Sequence, residues 1–408
     1  MTDTFKFPKN FLWGGAISAY QAEGGNINSD YEVWGNKKGI EVAGKACDHY
    51  NRFREDIGIA KSLNHNIFRF SIEWARIEPE EGKFDRHELD HYKQVLQEIK
   101  KRGMKSVVTL YHFTLPNWVA EIGGWENPEA GSYFERYVNY IVDNLGDLMD
   151  YIITINEPFV YCLHAYLLDD LSPAKKNLTK LFKVLYTLIR VHKEVYIQIK
   201  DKVKIPIGYS KNVPYITALD KRNVFDKLMA KFLNYIFNGI TLQKLSKSTD
   251  FIGLQYYNIA RIKFKPGGDH LHLFNEWGLE EVERGKGVTD MGWEIYPKGI
   301  YYVLKRLKKY DLPILVTENG LADKSDKYRK DFIKNHLINV HRAISEGVNV
   351  IGYLHWSLLD NFEWKEGKSK RFGLIEIDYK NRFKRKVRSS SKYYSKIAEC
   401  GFLEVYNS

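Results

Sequence analysis

Two glutamates stand at the ends of apolar runs, each beside an amide: Glu157 after Asn156 in YIITINEP, and Glu318 before Asn319 in PILVTENG. A pair of carboxyls at one site suits hydrolysis of a glycosidic bond. One group protonates the departing oxygen, and the other meets the positive charge that develops at the anomeric carbon. Other runs end in groups of the kind that hold a sugar. Gln21 and Glu23 follow the first; Arg69, Glu73 and Trp74 belong to the second; His112 and Phe113 close the third; Tyr256 and Tyr257 close the sixth. The eighth carries His355 and Trp356 ahead of Asp360, Glu363 and Trp364. Amide, imidazole and carboxylate groups match the hydroxyls of a pyranose, and aromatic rings match its apolar face. Taken singly, each residue has a plainer reading: an ion-pair partner for either Glu or Arg69, a hydrogen-bonded core residue for His112, packing for Trp356 and Trp364. Packing gives no reason for all of them to gather at the same end of successive runs.

Eight such runs must position these groups: FLWGGAIS from Phe11, IFRFSIEW from Ile67, SVVTLYHF from Ser106, YIITINEP from Tyr151, IPIGYS from Ile205, DFIGLQYYN from Asp250, PILVTENG from Pro313 and VIGYLHWSLLD from Val350. Their near-continuous apolar character predicts strands covered on both faces. Helical spacing fills the intervals. Asp85–Arg102 repeats Leu89, Tyr92, Val95, Leu96 and Ile99 before Gly103, and Tyr328–Glu346 repeats Phe332, Ile333, Leu337, Val340 and Ile344 before Gly347. Strands alternating with helices predict one (β/α)₈ barrel domain over residues 1–408, with its chemistry at the C-terminal strand ends. An open doubly wound sheet is the alternative. It calls for a G-x-G-x-x-G turn after its first strand, which Gly14-Gly15 with Gly24-Gly25 does not match.

Composition fits a folded chain of this size. Over 408 residues, 44% are hydrophobic and 28% charged, which excludes a largely disordered protein. The net charge of +11 permits attraction to polyanions, and the densest cluster lies between Lys380 and Arg388. No recognition motif accompanies it, so a solvated surface segment is the reading and nucleic acid is not an expected partner. Cys47, Cys162 and Cys400 have neither metal nor disulfide spacing. With a polar N-terminus and no apolar run near 20 residues, a cytoplasmic protein without a membrane span is expected. His270 and His272 form a weak candidate metal pair, Asn177 heads a glycosylation sequon, and Cys162 reads as a small packed residue.

From Phe7 to about Tyr394 the sequence resembles the family 1 glycoside hydrolases, the β-glucosidase and β-galactosidase group. FPKNFLWGGAISAYQAEG, FRFSIEWARIEP, TLYHFTLPNW, TINEP, VTENG and WSLLDNFEW carry the likeness, in order. The resemblance implies a retaining mechanism with Glu318 as nucleophile and Glu157 as acid/base, their carboxyls about 5–5.5 Å apart. It implies that Arg69 and Tyr257 support the nucleophile. Gln21, His112, Asn156, Trp356, Glu363, Trp364 and Phe372 would bind the sugar, with Phe113 and Trp293 on the leaving-group side. Neither metal nor organic cofactor is implied, and the partner is a small β-glycoside or oligosaccharide. Glu363 and Phe372 are of the non-phosphorylated type, where the phospho-glycosidase branch has Ser and Tyr; Glu157 stands where the thioglucosidase branch has Gln.

Departures from the family fall around the leaving-group side. Gln255 stands where Asn is usual, and its extra methylene is expected to bring an amide beside Glu157. Phe113 replaces a frequent Trp, Leu167–Lys176 lacks the usual Pro-Gly loop, and Asn212–Asp250 reads as shortened. The expected activity is therefore hydrolysis of terminal β-D-glucosyl residues, with galactosyl and fucosyl as side substrates. A transglycosylase or alkyl-glycoside specialist using the same site is one alternative, and a sugar-binding homologue without turnover is another.

Overall fold

The computed structural model describes residues 2–264 and 287–406. All eight apolar runs become strands: β1 (Leu12–Ala16), β2 (Ile67–Ser71), β3 (Lys105–Tyr111), β4 (Tyr151–Asn156), β5 (Ile207–Asn212), β6 (Phe251–Gln255), β7 (Ile314–Asn319) and β8 (Val350–Trp356). They pair in parallel in the order β7-β8-β1-β2-β3-β4-β5-β6, and β6 returns to β7 to close the barrel. The open-sheet alternative is thereby excluded.

The base of the barrel is filled by Leu12, Ile67, Val107, Ile153, Phe251, Leu315 and Leu354, which form one buried cluster with a single side chain from each of seven strands. The remaining strand, β5, offers Gly208, where an added Cβ would lie 2.8 Å from the Phe251 ring. One large ring thus fills the space of two side chains. Interlocking of this kind makes the barrel a packed core, and it leaves only the upper end free for chemistry.

The outer helices follow the predicted periodicity. Arg86–Lys101 starts at Asp85, whose Oδ1 accepts hydrogen bonds from the amides of His87 and Glu88, and it turns out through Gly103 at φ +66°. Its buried face is Leu89, Tyr92, Val95, Leu96 and Ile99. Arg329–Ser345 likewise buries Phe332, Ile333, Leu337 and Val340. Asn177, the sequon residue, caps the helix Leu178–Lys202 by accepting from the Lys180 amide. Cys162 is buried, as expected of a packed residue. The N-terminal strand Thr2–Lys6 pairs antiparallel with Phe402–Tyr406, which ties the two ends of the chain together.

The basic run has a structural explanation. It forms the returning strand of a hairpin, Lys384–Val387 against Ile375–Asp378. Arg385 lies buried and grips Asp56 through Nε and Nη2 at 2.7 and 2.8 Å, while Arg388 reaches the buried Asp360 at 2.8 Å. Two of its cations are therefore spent on interior ion pairs, which corrects the reading of the run as a solvated surface segment. Among the described residues no helix is long and apolar enough to cross a membrane. His270 and His272 lie outside the described residues.

Candidate active site

A cavity of about 840 Å³, counting its open mouth, sits at the C-terminal end of the barrel. Its wall includes Glu157 from the end of β4 and Glu318 from β7, as the strand-end reading expects. Gln21, His112, Asn156, Trp356, Glu363, Trp364 and Phe372 line it as well, as do Tyr257, Phe113 and Trp293. Several other strand-end candidates are not part of the wall. Glu23 pairs with Arg76 at 2.8 Å, Glu73 accepts from the Thr114 hydroxyl, and Asp360 is held by Arg388. Tyr256 donates to the Tyr296 carbonyl at 2.7 Å, Trp74 donates to Glu78 at 2.9 Å, and His355 is fully buried. These six brace the loops and the core.

The end of β7 is fixed from both sides. Asn319 donates to the Tyr256 carbonyl at 2.6 Å and accepts from the Tyr353 hydroxyl at 2.7 Å, so it fastens β7 to both neighbouring strands. The next residue has to be glycine. A Cβ on Gly320 would stand 1.7 Å from the Trp356 carbonyl oxygen, an impossible approach. The TENG motif thus carries its own positioning: Glu318 projects inward because the two residues after it clamp the strand against β6 and β8.

Glu318 receives three donors. Arg69, which is fully buried beneath the cavity floor, forms an ion pair with Oε1. Tyr257 donates to Oε2 at 2.5 Å, and Gln255 donates to Oε1 at 2.5 Å. The Gln255 contact corrects the expectation that its longer side chain would sit beside Glu157. Its amide spans instead between Glu318 and the Asn156 Oδ1, the latter at 2.9 Å. The strand register explains this, since Gln255 pairs with Glu318 across β6 and β7. Arg69 is in turn oriented by Thr109 at 3.1 Å and by Asn156 at 2.7 Å. Asn156 Oδ1 accepts from Arg69, Gln255 and the Ser210 hydroxyl, the last at 2.6 Å. With its oxygen committed, Asn156 turns its NH₂ toward His112, 3.4 Å away.

Glu157 has a different environment. Its backbone is left-handed at φ +42°, just where β4 ends and the helix Pro158–Leu163 begins, and its Oε1 is buried without a hydrogen-bond partner. Burial pushes both carboxyls up. The Glu318 charge pushes Glu157 further, while Arg69, Tyr257 and Gln255 oppose the rise at Glu318. The two environments therefore separate the pair, with Glu157 the group that holds a proton to higher pH. Burial together with the Glu318 charge also raises Glu363, to about 8. The imidazole of His112 is held well below its usual range by burial and by Arg69, so it is neutral, with Nδ1 left without a partner.

The remaining wall separates a ring-lined floor from a polar rim. Trp356 lies stacked with His112 at 6.0 Å. Gln21 donates to the Phe362 carbonyl at 2.9 Å and to Glu363 at 3.3 Å, and its oxygen accepts from Ser18 at 2.7 Å. Trp364 stacks on Tyr20, and Phe113 packs on Trp364 at 5.4 Å. Trp293 leans on Tyr257 and Phe372, at 5.8 and 6.4 Å. Several wall residues are not singled out by the sequence as candidates: His164, Met291 and Lys365, and, inside the segments that depart from the family, Asp170, Leu171 and Asn212. His164 and Lys365 converge on Asp170, at 2.7 and 2.9 Å, and this cluster joins the Leu167–Lys176 segment to the loop after β8. Asn212 was findable, because it ends β5 by the same rule that picks out Asn156.

A barrel with two unlike carboxyls in a sugar-sized, ring-lined cavity at its C-terminal end defines a glycosidase-type site. The model of glycosyl hydrolase family 1 matches residues 3–241 and 231–402, so the chain belongs to that family and is a glycoside hydrolase. The two matched segments meet inside the stretch that reads as shortened. Beta-glucosidase A of Thermotoga maritima is 34% identical over 98% of this chain and 99% of its own length. Among solved structures, a beta-glycosidase from Pyrococcus horikoshii superposes with a TM-score of 0.91 at 35% identity, covering 99% of this chain and 97% of its own. The beta-glucosidase from Thermotoga maritima in complex with glucoimidazole reaches 0.89 at 32% identity, covering 97% and 99%.

Proposed function

We propose that this chain is a retaining exo-β-glycosidase that releases terminal β-D-glucosyl residues, with galactosyl and fucosyl as side substrates. In this reading residues 1–408 act as one catalytic domain. The carrying observation is the unequal treatment of the two carboxyls. Glu318 meets three donors that oppose the rise caused by burial, so it is the carboxyl that ionises first and serves as the nucleophile; Glu157, buried with an unpartnered oxygen, enters the reaction protonated. The names of the relatives support glucose as the sugar.

Catalysis proceeds in two displacements. Glu318 attacks the anomeric carbon as Glu157 gives its proton to the departing oxygen, which forms a covalent glycosyl-enzyme. Esterification removes the Glu318 charge, and with it the repulsion that raised Glu157. Glu157 then ionises more readily and takes a proton from the incoming water, which attacks from the side the aglycone has left. Arg69, Tyr257 and Gln255 hold the nucleophile in line. Asn156 and neutral His112 donate to hydroxyls near the reacting carbon, and Gln21, Glu363, Trp356, Trp364 and Phe372 enclose the far side of the ring. Phe113 and Trp293 flank the leaving group. The enclosed glycone end supports action on chain termini. Three unpaired cysteines, two of them buried, support a cytoplasmic setting.

Proton NMR during hydrolysis of an aryl β-D-glucoside tests the reading. β-Glucose is expected to appear first and to mutarotate afterwards. Release of α-glucose first, or absence of hydrolysis with any aryl β-glycoside, would overturn it.

A further inference from the structure

Beside Glu157 lies a cation that the two-carboxyl scheme does not use. β4 and β5 pair in register at Asn156 and Ser210, and the Glu157 amide donates to the Ser210 carbonyl at 2.9 Å, which sets Lys211 alongside Glu157. Lys211 is completely buried. Its ammonium donates to the Asn212 carbonyl and rests over the Phe237 ring at 4.2 Å, with Phe159 at 5.8 Å. Among the described residues no carboxylate forms an ion pair with it, although a buried ammonium ordinarily has one. Among the described residues, Glu157 is the acid that acts on it electrostatically.

Resting on the acid/base reading of Glu157, we infer that Lys211 is a positioning residue whose charge stabilises the Glu157 carboxylate each time the proton leaves. The chemistry requires such a partner. Glu157 must ionise inside a buried site after protonating the aglycone, and its Oε1 has no donor of its own. The charged groups facing it are Glu318 from β7 and Glu363 from the loop after β8, which repel the new charge, and Arg69 from β2, which is already committed to Glu318 and Asn156. His112 from β3 is neutral. Lys211 from β5 is the remaining cation among them. Burial brings its own titration down to about 7 and the Glu157 charge opposes that fall, so ionised Glu157 and charged Lys211 favour each other.

Removing the ammonium disfavours ionised Glu157, so its pKa rises. In Lys211→Met, the alkaline limb of kcat/KM for a β-glucoside with a poor leaving group is expected to move up by about one pH unit, because that limb reports the protonated acid. With 2,4-dinitrophenyl β-D-glucoside, turnover is limited by breakdown of the glycosyl-enzyme and needs Glu157 ionised. There the acid limb of kcat should move up too, lowering the rate at pH 6 by roughly ten-fold. Lys211→Arg keeps the charge and should restore both limbs toward wild type. Replacing a buried charge by a similar-sized apolar side chain is compatible with folding, which a melting curve checks. A Lys211→Met enzyme that loses rate uniformly while both limbs stay in place would overturn the assignment. Inactive wild type would instead reject the glycosidase reading itself.

Discussion

Replacement of Glu157 by alanine is expected to divide substrates by leaving group. General acid assistance contributes roughly 10²–10⁴-fold, so glycosides of poor leaving groups should lose about that factor in kcat/KM. A 2,4-dinitrophenyl glycoside needs little help to depart, and its phenol should still appear in a rapid burst. The second step then stalls, because water has lost its base. Sodium azide needs no deprotonation and fits the space vacated by the carboxyl, so it should restore turnover and give a β-glycosyl azide. Stopped-flow absorbance of the phenol, with and without azide, checks the whole pattern. Uniform loss on both substrates, insensitive to azide, would remove Glu157 from the acid/base role.

The second large effect is at Arg69. It is completely buried, and it touches Glu318, Asn156 and Thr109 together. In Arg69→Met, Glu318 keeps Tyr257 and Gln255 but loses the cation that opposes the effect of burial. Its pKa rises, and activity that needs the ionised nucleophile is lost as pH falls through a higher value. The acid limb of kcat/KM should therefore move upward. The plateau should also fall by roughly 10²–10³-fold, the usual cost of removing one preorganised electrostatic group from an active site. A pH–rate profile separates this from simple misfolding, which lowers the plateau without moving the limb.

How much of this was legible in the sequence depended on whether one residue sufficed to show it. The eight strands were legible because burial on both faces writes a continuous apolar run for each one. Glu157, Glu318 and Asn156 followed because barrel geometry puts strand ends at one mouth. The contacts between strands were not legible in the same way. Gln255 differs from the family pattern by one methylene, and only the β6–β7 register shows that its amide reaches the nucleophile. Thr109 and Ser210 look like ordinary strand residues until Arg69 and Asn156 are seen reaching them. The basic run misled for a related reason. Arg385 and Arg388 point inward to Asp56 and Asp360, partners more than 300 and fewer than 30 residues distant, and a local charge count sees neither pairing. Lys211 lies one residue past the run IPIGYS, and a lone lysine at a strand end reads as an ordinary surface cation.

The loop clusters at the mouth lie between these extremes. His164 and Lys365 come from segments about 200 residues apart and meet at Asp170. Both lie just past a motif, His164 after TINEP and Lys365 after WSLLDNFEW, and only the folded chain reveals that they share one wall with Trp364.

The proposed reaction passes through a covalent bond between Glu318 and the sugar. Incubation with 2-deoxy-2-fluoro-β-D-glucosyl fluoride tests it most directly, because the fluorine at C2 slows both steps by destabilising the cationic transition state, while the fluoride leaving group allows the first to proceed. Time-dependent inactivation is expected, with one fluoroglucosyl group on the peptide containing Glu318 and slow recovery when an acceptor sugar is added. Labelling of another residue, or steady hydrolysis with no adduct on an enzyme that still cleaves aryl glucosides, would contradict the account.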